Sequence, residues 1–327
     1  MENYSPGEKL FTLLEVKDLK VYYKVKAGYV KAVDGVNFNL GVAERLAVVG
    51  ESGSGKTTLG LSIAGLITEP GEIMGGNLIF KGRDLIKMSR EELRQLRGSQ
   101  ISMIFQDPST ALNPVLRVGE QIAEVFKAHG YDKETSDEKA VELLKHVGIP
   151  DPEKRFHDYP HQLSGGMKQR VVIAIAVALK PSLIIADEPT SALDVTIQAQ
   201  ILDLLKSLST EANSSILLIT HDIGVAAELS ERIAVMYAGK LVEIGDLKKV
   251  VNEPLHPYTK ALMASIPRGN KRQLRLKAIK GSVPSLINPP SGCRFHPRCP
   301  EATELCKKVE PKEVTYDGRK VLCHLYH

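Results

Sequence analysis

Gly50-Glu-Ser-Gly-Ser-Gly55-Lys56-Thr57 fits G-x-x-x-x-G-K-[ST] at every fixed position. Glycines at this spacing let backbone N–H groups turn inward around β- and γ-phosphates, at the positive end of the helix that follows. Lys56 then supplies a point charge to the phosphates and Thr57 a hydroxyl to Mg²⁺. Ser52, Gly53, Ser54 and Thr58 complete the expected binding loop. A plain Gly-rich turn would explain one or two glycines, but not the Lys-Thr after them. A second element, Leu183-Ile-Ile-Ala-Asp187-Glu188, ends an apolar run on two acids. Asp187 at the end of a buried strand can hold Mg²⁺ through water, and Glu188 can polarise the attacking water as a general base. Two acids after an apolar run are common by themselves. Standing 130 residues after a phosphate loop, they are its expected partner.

A third element is Leu163-Ser164-Gly165-Gly166-Met167-Lys168-Gln169-Arg170, just ahead of the apolar residues 171–179. Ser164 stands where an N-cap would, and Gly165 and Gly166 expose N–H groups at a helix start, which makes a second anion site. Gln106 ends one apolar strand, His221 ends another, and Ser191-Ala192-Leu193-Asp194 follows the acidic one. In this order, over about residues 10–250, the set resembles the nucleotide-binding subunit of ATP-binding-cassette (ABC) transporters. The resemblance implies ATP and Mg²⁺ as ligands and ATP hydrolysis as the activity. It implies that Gln106 touches Mg²⁺ or the attacking water and links the site to a helical insertion. His221 would contact the γ-phosphate, and Asp194 would communicate across a dimer. One chain has no second phosphate loop for its Ser164 site, so that site would serve ATP on another subunit of a head-to-tail dimer. An ordinary structural histidine is the bland alternative for His221; its place after Ile-Leu-Leu-Ile-Thr lifts it above the rest of the nine. For the adenine, Tyr23 is the best-placed aromatic, with Tyr22 and Tyr29 as rivals. Met167 departs from the Gln common at this position, which removes a side-chain amide but leaves the backbone anion site.

All four cysteines, Cys293, Cys299, Cys306 and Cys323, lie in the last 35 residues, spaced C-x5-C-x6-C-x16-C. A reducing cytosol disfavours two disulfides. Zinc sites usually show C-x2–4-C pairs, which these spacings do not match. A [4Fe–4S] cluster also takes four thiolates, and Cys299-Pro300 echoes the Cys-Pro of ferredoxin runs. The iron–sulfur cluster is the expectation, zinc the alternative, and four unligated thiols the bland reading. His256-Pro257-Tyr258-Thr259-Lys260-Ala261-Leu262 and Gly292-Cys293-Arg294-Phe295-His296-Pro297-Arg298-Cys299-Pro300 resemble the extension on ATPases of oligopeptide and dipeptide importers. That resemblance implies the same cluster, a peptide substrate and a second ABC ATPase, with a heterodimer preferred over a homodimer. It also implies two integral membrane permease subunits and an extracytoplasmic peptide-binding protein. Nickel importers of similar build are the near alternative. The rival of a different class is a soluble ABC ATPase acting on nucleic acid or ribosomes. A single cassette, uninterrupted by a coiled coil or zinc module, argues against it, so no nucleic-acid partner is expected.

These residues need strands to carry them. Short β-branched runs at Arg45–Val49, 101–105, 183–186 and 216–220 alternate with helical or loop segments, which argues for an α/β domain with a largely parallel sheet. Alternation over 13–23 and 33–40 predicts antiparallel strands at one edge, and residues 59–66 a helix after the phosphate loop. Between Pro108 and Pro160 the spacing turns helical (Val118, Ile122, Val125, Phe126; Ala140, Leu143, Leu144, Val147). The expected fold class is therefore α/β, a P-loop NTPase of ABC type with an antiparallel β edge subdomain, a helical insertion, and a small loop-rich C-terminal metal-binding extension. Its expected division is 1–250 for the nucleotide-binding domain, with the helical subdomain at about 106–165, and 251–327 for the extension. Residues 258–266 predict a short helix, and five prolines in 281–300 leave little regular structure.

Composition sets the outer bounds. The 327 residues are 43% hydrophobic and 25% charged, which excludes disordered, collagenous and coiled-coil classes. The longest apolar run, nine residues at 171–179, is far short of the roughly 20 that cross a bilayer. No signal peptide is visible in MENYSPGEKL, so the expectation is a cytoplasmic protein, peripheral on the inner face of the membrane. The net charge of +4 is local: Arg268, Lys271, Arg272, Arg275, Lys277 and Lys280 carry +6, and the remainder sums to −2. That basic segment reads as a solvated linker, with contact to anionic lipid as the sharper alternative.

Overall fold

The computed structural model describes residues 12–191, 193–265, 279 and 281–327. The MENYSPGEKL opening, Ala192 and the six basic residues of the segment Arg268 to Lys280 lie outside the described residues. Twelve strands form two sheets among the described residues. They are β1 (Thr12–Val25), β2 (Gly28–Gly41), β3 (Arg45–Val49), β4 (Gly71–Phe80), β5 (Arg83–Asp84) and β6 (Ile101–Ile104), then β7 (Leu183–Asp187), β8 (Ser215–Thr220), β9 (Arg232–Tyr237), β10 (Lys240–Asp246), β11 (Val314–Tyr316) and β12 (Arg319–Val321). The larger sheet runs β11-β12-β10-β9-β3-β8-β7-β6, and the smaller runs β2-β1-β4-β5. Pairing is parallel from β9 through β6 and antiparallel at β10, β12 and β11.

The central strands are covered on both faces, which is why they read as unbroken apolar runs. Side chains alternate across the sheet with period two. Ala47, Val49, Ile184, Ala186, Ile216 and Leu218 enter a core shared with the helices Val118–Lys127, Lys133–His146, Gly165–Val177 and Val195–Glu211. Leu46, Val48, Leu183, Ile185, Leu217 and Ile219 enter a second core with the helix Lys56–Ile63 and the smaller sheet. The sheet therefore holds the carboxyl ends of β3, β7 and β8 between two packed layers. The catalytic candidates stand at those ends.

Three expectations shift. The antiparallel strands near the N-terminus form their own sheet across the second core, and the antiparallel edge of the main sheet comes instead from β10, β12 and β11. The helix after the phosphate loop starts at Lys56, three residues before its apolar residues begin, because the loop glycine Gly55 and not an apolar residue sets its start. The tail is less loop-rich than its prolines suggest. Phe295 is fully buried against Tyr237 and Tyr258 in the helical-side core, and β11 and β12 extend the main sheet through Glu243↔Val321. The cysteine-bearing segment thus draws order from the nucleotide-binding domain's own core.

Candidate active site

β3 ends at Val49, and the chain turns there through the phosphate loop into the helix Lys56–Ile63. Two of the glycines are required by space. A Cβ on Gly50 would lie 2.1 Å from the carbonyl oxygen of Met236, and one on Gly55, at φ +104, would lie 2.0 Å from that of Ala32. Lys56 is buried, and its ammonium donates to the carbonyls of Gly50 (2.9 Å) and Glu51 (3.1 Å). Burial pushes its pKa down, against the pull of Glu188, Asp187 and Glu51.

β7 delivers Asp187 and Glu188 beside the loop. The Thr57 hydroxyl hydrogen-bonds to the Asp187 carboxylate, whose proton affinity is raised by burial. Asp187 Oδ1 and Ser54 Oγ are buried without a partner. An unpartnered carboxylate oxygen next to a threonine hydroxyl is the donor set a hard cation takes. Glu188 has a left-handed backbone, φ +46, pinned by its N–H on the Ile219 carbonyl at 2.8 Å. Such backbone gathers at functional sites. Gln106 Nε2 donates to one Glu188 oxygen at 2.9 Å, and His221 Nδ1 donates to the other at 3.0 Å. Three strand ends thus meet on one carboxylate.

These residues line a cleft of about 690 Å³ with Ser52, Gly53, Gly55, Lys56, Thr57 and Thr58 on its floor. Tyr23 lines it too, its hydroxyl 3.4 Å from Thr58 Oγ1. The rivals face elsewhere: Tyr22 donates to Asp34 at 2.6 Å, and Tyr29 leans on Tyr22. Val30, Ala32 and Leu286 complete the wall. Leu286 gave no sequence signal: a main-chain bond from Lys31 N to its carbonyl and packing on the helical-side core bring it there. Arg298, which grips Glu51 from the tail, had one: arginines stand beside both cysteines of Cys293-Arg294-Phe295-His296-Pro297-Arg298-Cys299.

The remaining candidates stand apart from the cleft. Ser164 caps the helix Gly165–Val177, its Oγ accepting from Met167 N at 3.3 Å. A Cβ on Gly165 would just touch Leu193 at 3.9 Å, Gly166 rests on Ile197, and Met167 packs on the helical-side core. Asp194 caps the next helix, accepting from Ile197 N at 3.0 Å. Nothing of this second anion site enters the chain's own cleft.

The four cysteines share one neighbourhood. Cys293 N donates to the Cys306 carbonyl at 2.8 Å, and Cys306 and Cys323 are buried. Burial pushes the Cys293 thiol up to about 11, with the negative charge of the other three adding to it. The metal-binding geometry expected of the extension is not seen: among the described residues, no three His, Cys, Asp or Glu side chains converge as one ion requires. A single ion needs its sulfur ligands about 2.3 Å from one point.

Comparison with known proteins agrees with this geometry. Residues 33–191 match the family described as ABC transporter, and residues 242–306 that described as oligopeptide/dipeptide transporter, C-terminal region. The chain is 50% identical over 313 residues to the dipeptide transport ATP-binding protein DppD of Haemophilus influenzae, covering 95% of each. It is also 50% identical to the oligopeptide transport ATP-binding protein AppD of Bacillus subtilis, covering 96% of this chain and 97% of that one. Among solved structures, the ATP-binding cassette MJ0796 in a dimeric post-hydrolysis state with ADP and Pi superposes with a TM-score of 0.64 at 32% identity, over 72% of this chain and 98% of that one. The chain belongs to the ABC transporter ATPases, in the branch that carries the oligopeptide/dipeptide transporter C-terminal region.

Proposed function

We propose that this chain is the ATP-hydrolysing subunit of a di- or oligopeptide importer, working at the inner face of the cell membrane. The observation that carries it is the convergence of Gln106 and His221 on Glu188 beside the phosphate loop. The chain around that site is alike, nearly end to end, to transport ATP-binding proteins of known peptide systems. In this reading Tyr23 stacks on adenine, and the loop N–H groups with Lys56 hold the phosphates. Lys56 leaves the Gly50 and Glu51 carbonyls to do so. Thr57, Asp187 and Gln106 would hold Mg²⁺, which supplies charge neutralisation when bound. Glu188 orients and deprotonates the attacking water, and His221 steadies the γ-phosphate side.

Ser164, Gly165 and Gly166 serve the nucleotide of a second ABC subunit, with Asp194 at the same face. ATP touches both halves only when they close, so binding shifts the population to a closed dimer and hydrolysis releases it. The preferred partner is a related but different ATPase. Two permease subunits and an extracytoplasmic peptide-binding protein complete the machine. We divide the chain at about residue 250, with the helical part at about 106–165. The tail's four thiols, gathered in one neighbourhood, suit a [4Fe–4S] cluster better than one zinc ion. Protein purified without oxygen should be brown with about four irons per chain; colourless protein with stoichiometric zinc would reverse the assignment.

The deciding experiment is reconstitution in proteoliposomes with the permease and binding subunits. ATP hydrolysis should rise when di- or oligopeptide is added. Stimulation by nickel alone would replace the substrate, and failure to co-purify any membrane subunit would remove the importer reading.

A further inference from the structure

Glu51 is the second residue of the phosphate loop and the one acid in it, yet it does not line the cleft. It is held from three directions. Its N–H donates to the Tyr258 hydroxyl at 3.0 Å, and its carbonyl accepts from Lys56 at 3.1 Å. Its carboxylate takes both arms of the Arg298 guanidinium at 2.8 and 3.1 Å. Arg298 is itself fixed: its side chain is 5% exposed, and its guanidinium also donates to the Tyr237 hydroxyl at 3.3 Å and lies 5.7 Å over that ring. The two-armed geometry orients a carboxylate as well as neutralising it.

Arg298 belongs to the cysteine-bearing segment. At the other end of that segment Arg294, also buried, donates to the Ala238 carbonyl and to Asp34. Between them Phe295 is buried against Tyr237 and Tyr258. The stretch from Cys293 to Cys299 is therefore nailed to the nucleotide-binding domain at both ends, once through the phosphate loop itself.

We propose that Arg298 is a positioning residue of the nucleotide site: it neutralises Glu51 and turns it off the phosphate pocket, and so ties the order of the cysteine segment to nucleotide affinity. This deepens the ATPase reading and rests on it. Without the guanidinium, the Glu51 carboxylate is free to repel incoming phosphates and to hold Lys56. Coupling between two sites is reciprocal, so nucleotide must in turn order the Cys293–Cys299 stretch.

The test uses the full chain in the Glu188→Gln background, with affinities for MgATP and inorganic tripolyphosphate measured by calorimetry beside melting temperatures. Arg298→Gln should weaken both ligands by roughly 5- to 150-fold, the range of ordinary site-to-site coupling. Adding Glu51→Gln should restore most of that loss, because no carboxylate then needs neutralising. Arg298→Lys, which keeps charge but not the fork, should fall between. In protein freed of metal by chelation, MgATP should slow maleimide alkylation of Cys299 in the parent but not in Arg298→Gln. An Arg298→Gln affinity within twofold of the parent, a double variant no better than the single, or equal thiol protection in both would overturn the proposal. A lower melting temperature with unchanged affinity would reduce Arg298 to a fold-stabilising residue. A parent that binds neither ligand would instead sink the nucleotide-site reading itself.

Discussion

At the scale of the residue, the site is built around one carboxylate with two partners. The Glu188 side chain is oriented by Gln106 and His221 from separate strand ends. Glu188→Gln should bind MgATP and hydrolyse it about 10²- to 10⁴-fold more slowly, the usual worth of a general base; single-turnover phosphate release measures this, and normal turnover would refute the assignment. Tyr23 tests the base side of the cleft. Tyr23→Ala should weaken ATP by about 1–3 kcal/mol, the usual worth of a stacked base, and leave tripolyphosphate binding unchanged. Equal losses for both ligands would place the ring elsewhere. The loop, the Asp187-Glu188 pair and the histidine were legible because their chemistry is written in contiguous residues. That Tyr23 and not Tyr22 or Tyr29 lines the cleft was not, since adjacent side chains on a strand point to opposite faces.

At the scale of the element, caps and buried polar groups set boundaries. Ser164, Asp194 and Asp222 each begin a helix by accepting N–H groups of its first turn. The strands β3, β7 and β8 were readable as apolar runs. The hairpin of β11 and β12 carried a signal too, the Asp317-Gly318 turn with both residues at positive φ. By contrast β4, with three glycines in ten residues, is a strand because β1 and β5 pair with it. His256, at the start of the helix Pro257–Ala264, accepts from Tyr258 N at 3.0 Å. Complete burial pushes its pKa down to about 3, with the Lys260 charge adding. Above pH 6.5 the imidazole is neutral folded or unfolded. Between pH 6.5 and 3 only the unfolded chain takes up this proton, so its contribution to stability is present at neutral pH and falls by about 1.4 kcal/mol per pH unit on acidification. Urea unfolding at pH 7 and pH 5.5 should show His256→Asn with a shallower fall than the parent; identical slopes would mean that the imidazole charges in place.

At the scale of the whole molecule, the proposed dimer would give each chain half of two sites. The Ser164 anion site is remote from the chain's own cleft, and Val195 beside Asp194 is exposed. Ser164→Arg should therefore leave MgATP affinity within about twofold yet abolish dimer closure in the Glu188→Gln background, as read by gel filtration with the partner ATPase. Closure undiminished would move the interface. No helix among the described residues is long and apolar enough to cross a membrane.

The sequence by itself determined what is local: a phosphate loop, its acidic partner, a capped glycine signature and the periods that make strands and helices. Each of these depends on residues within a few positions of one another, where spacing alone dictates geometry. Only the tertiary structure decided that Gln106 and His221 share Glu188, that the N-terminal strands make a sheet of their own, and that the tail enters the nucleotide site through Leu286 and Arg298. Those contacts join residues as much as 247 and 255 positions apart, Glu51 with Arg298 and Lys31 with Leu286. They arise because the two cores bring distant strand ends together, and no periodicity along the chain encodes that meeting.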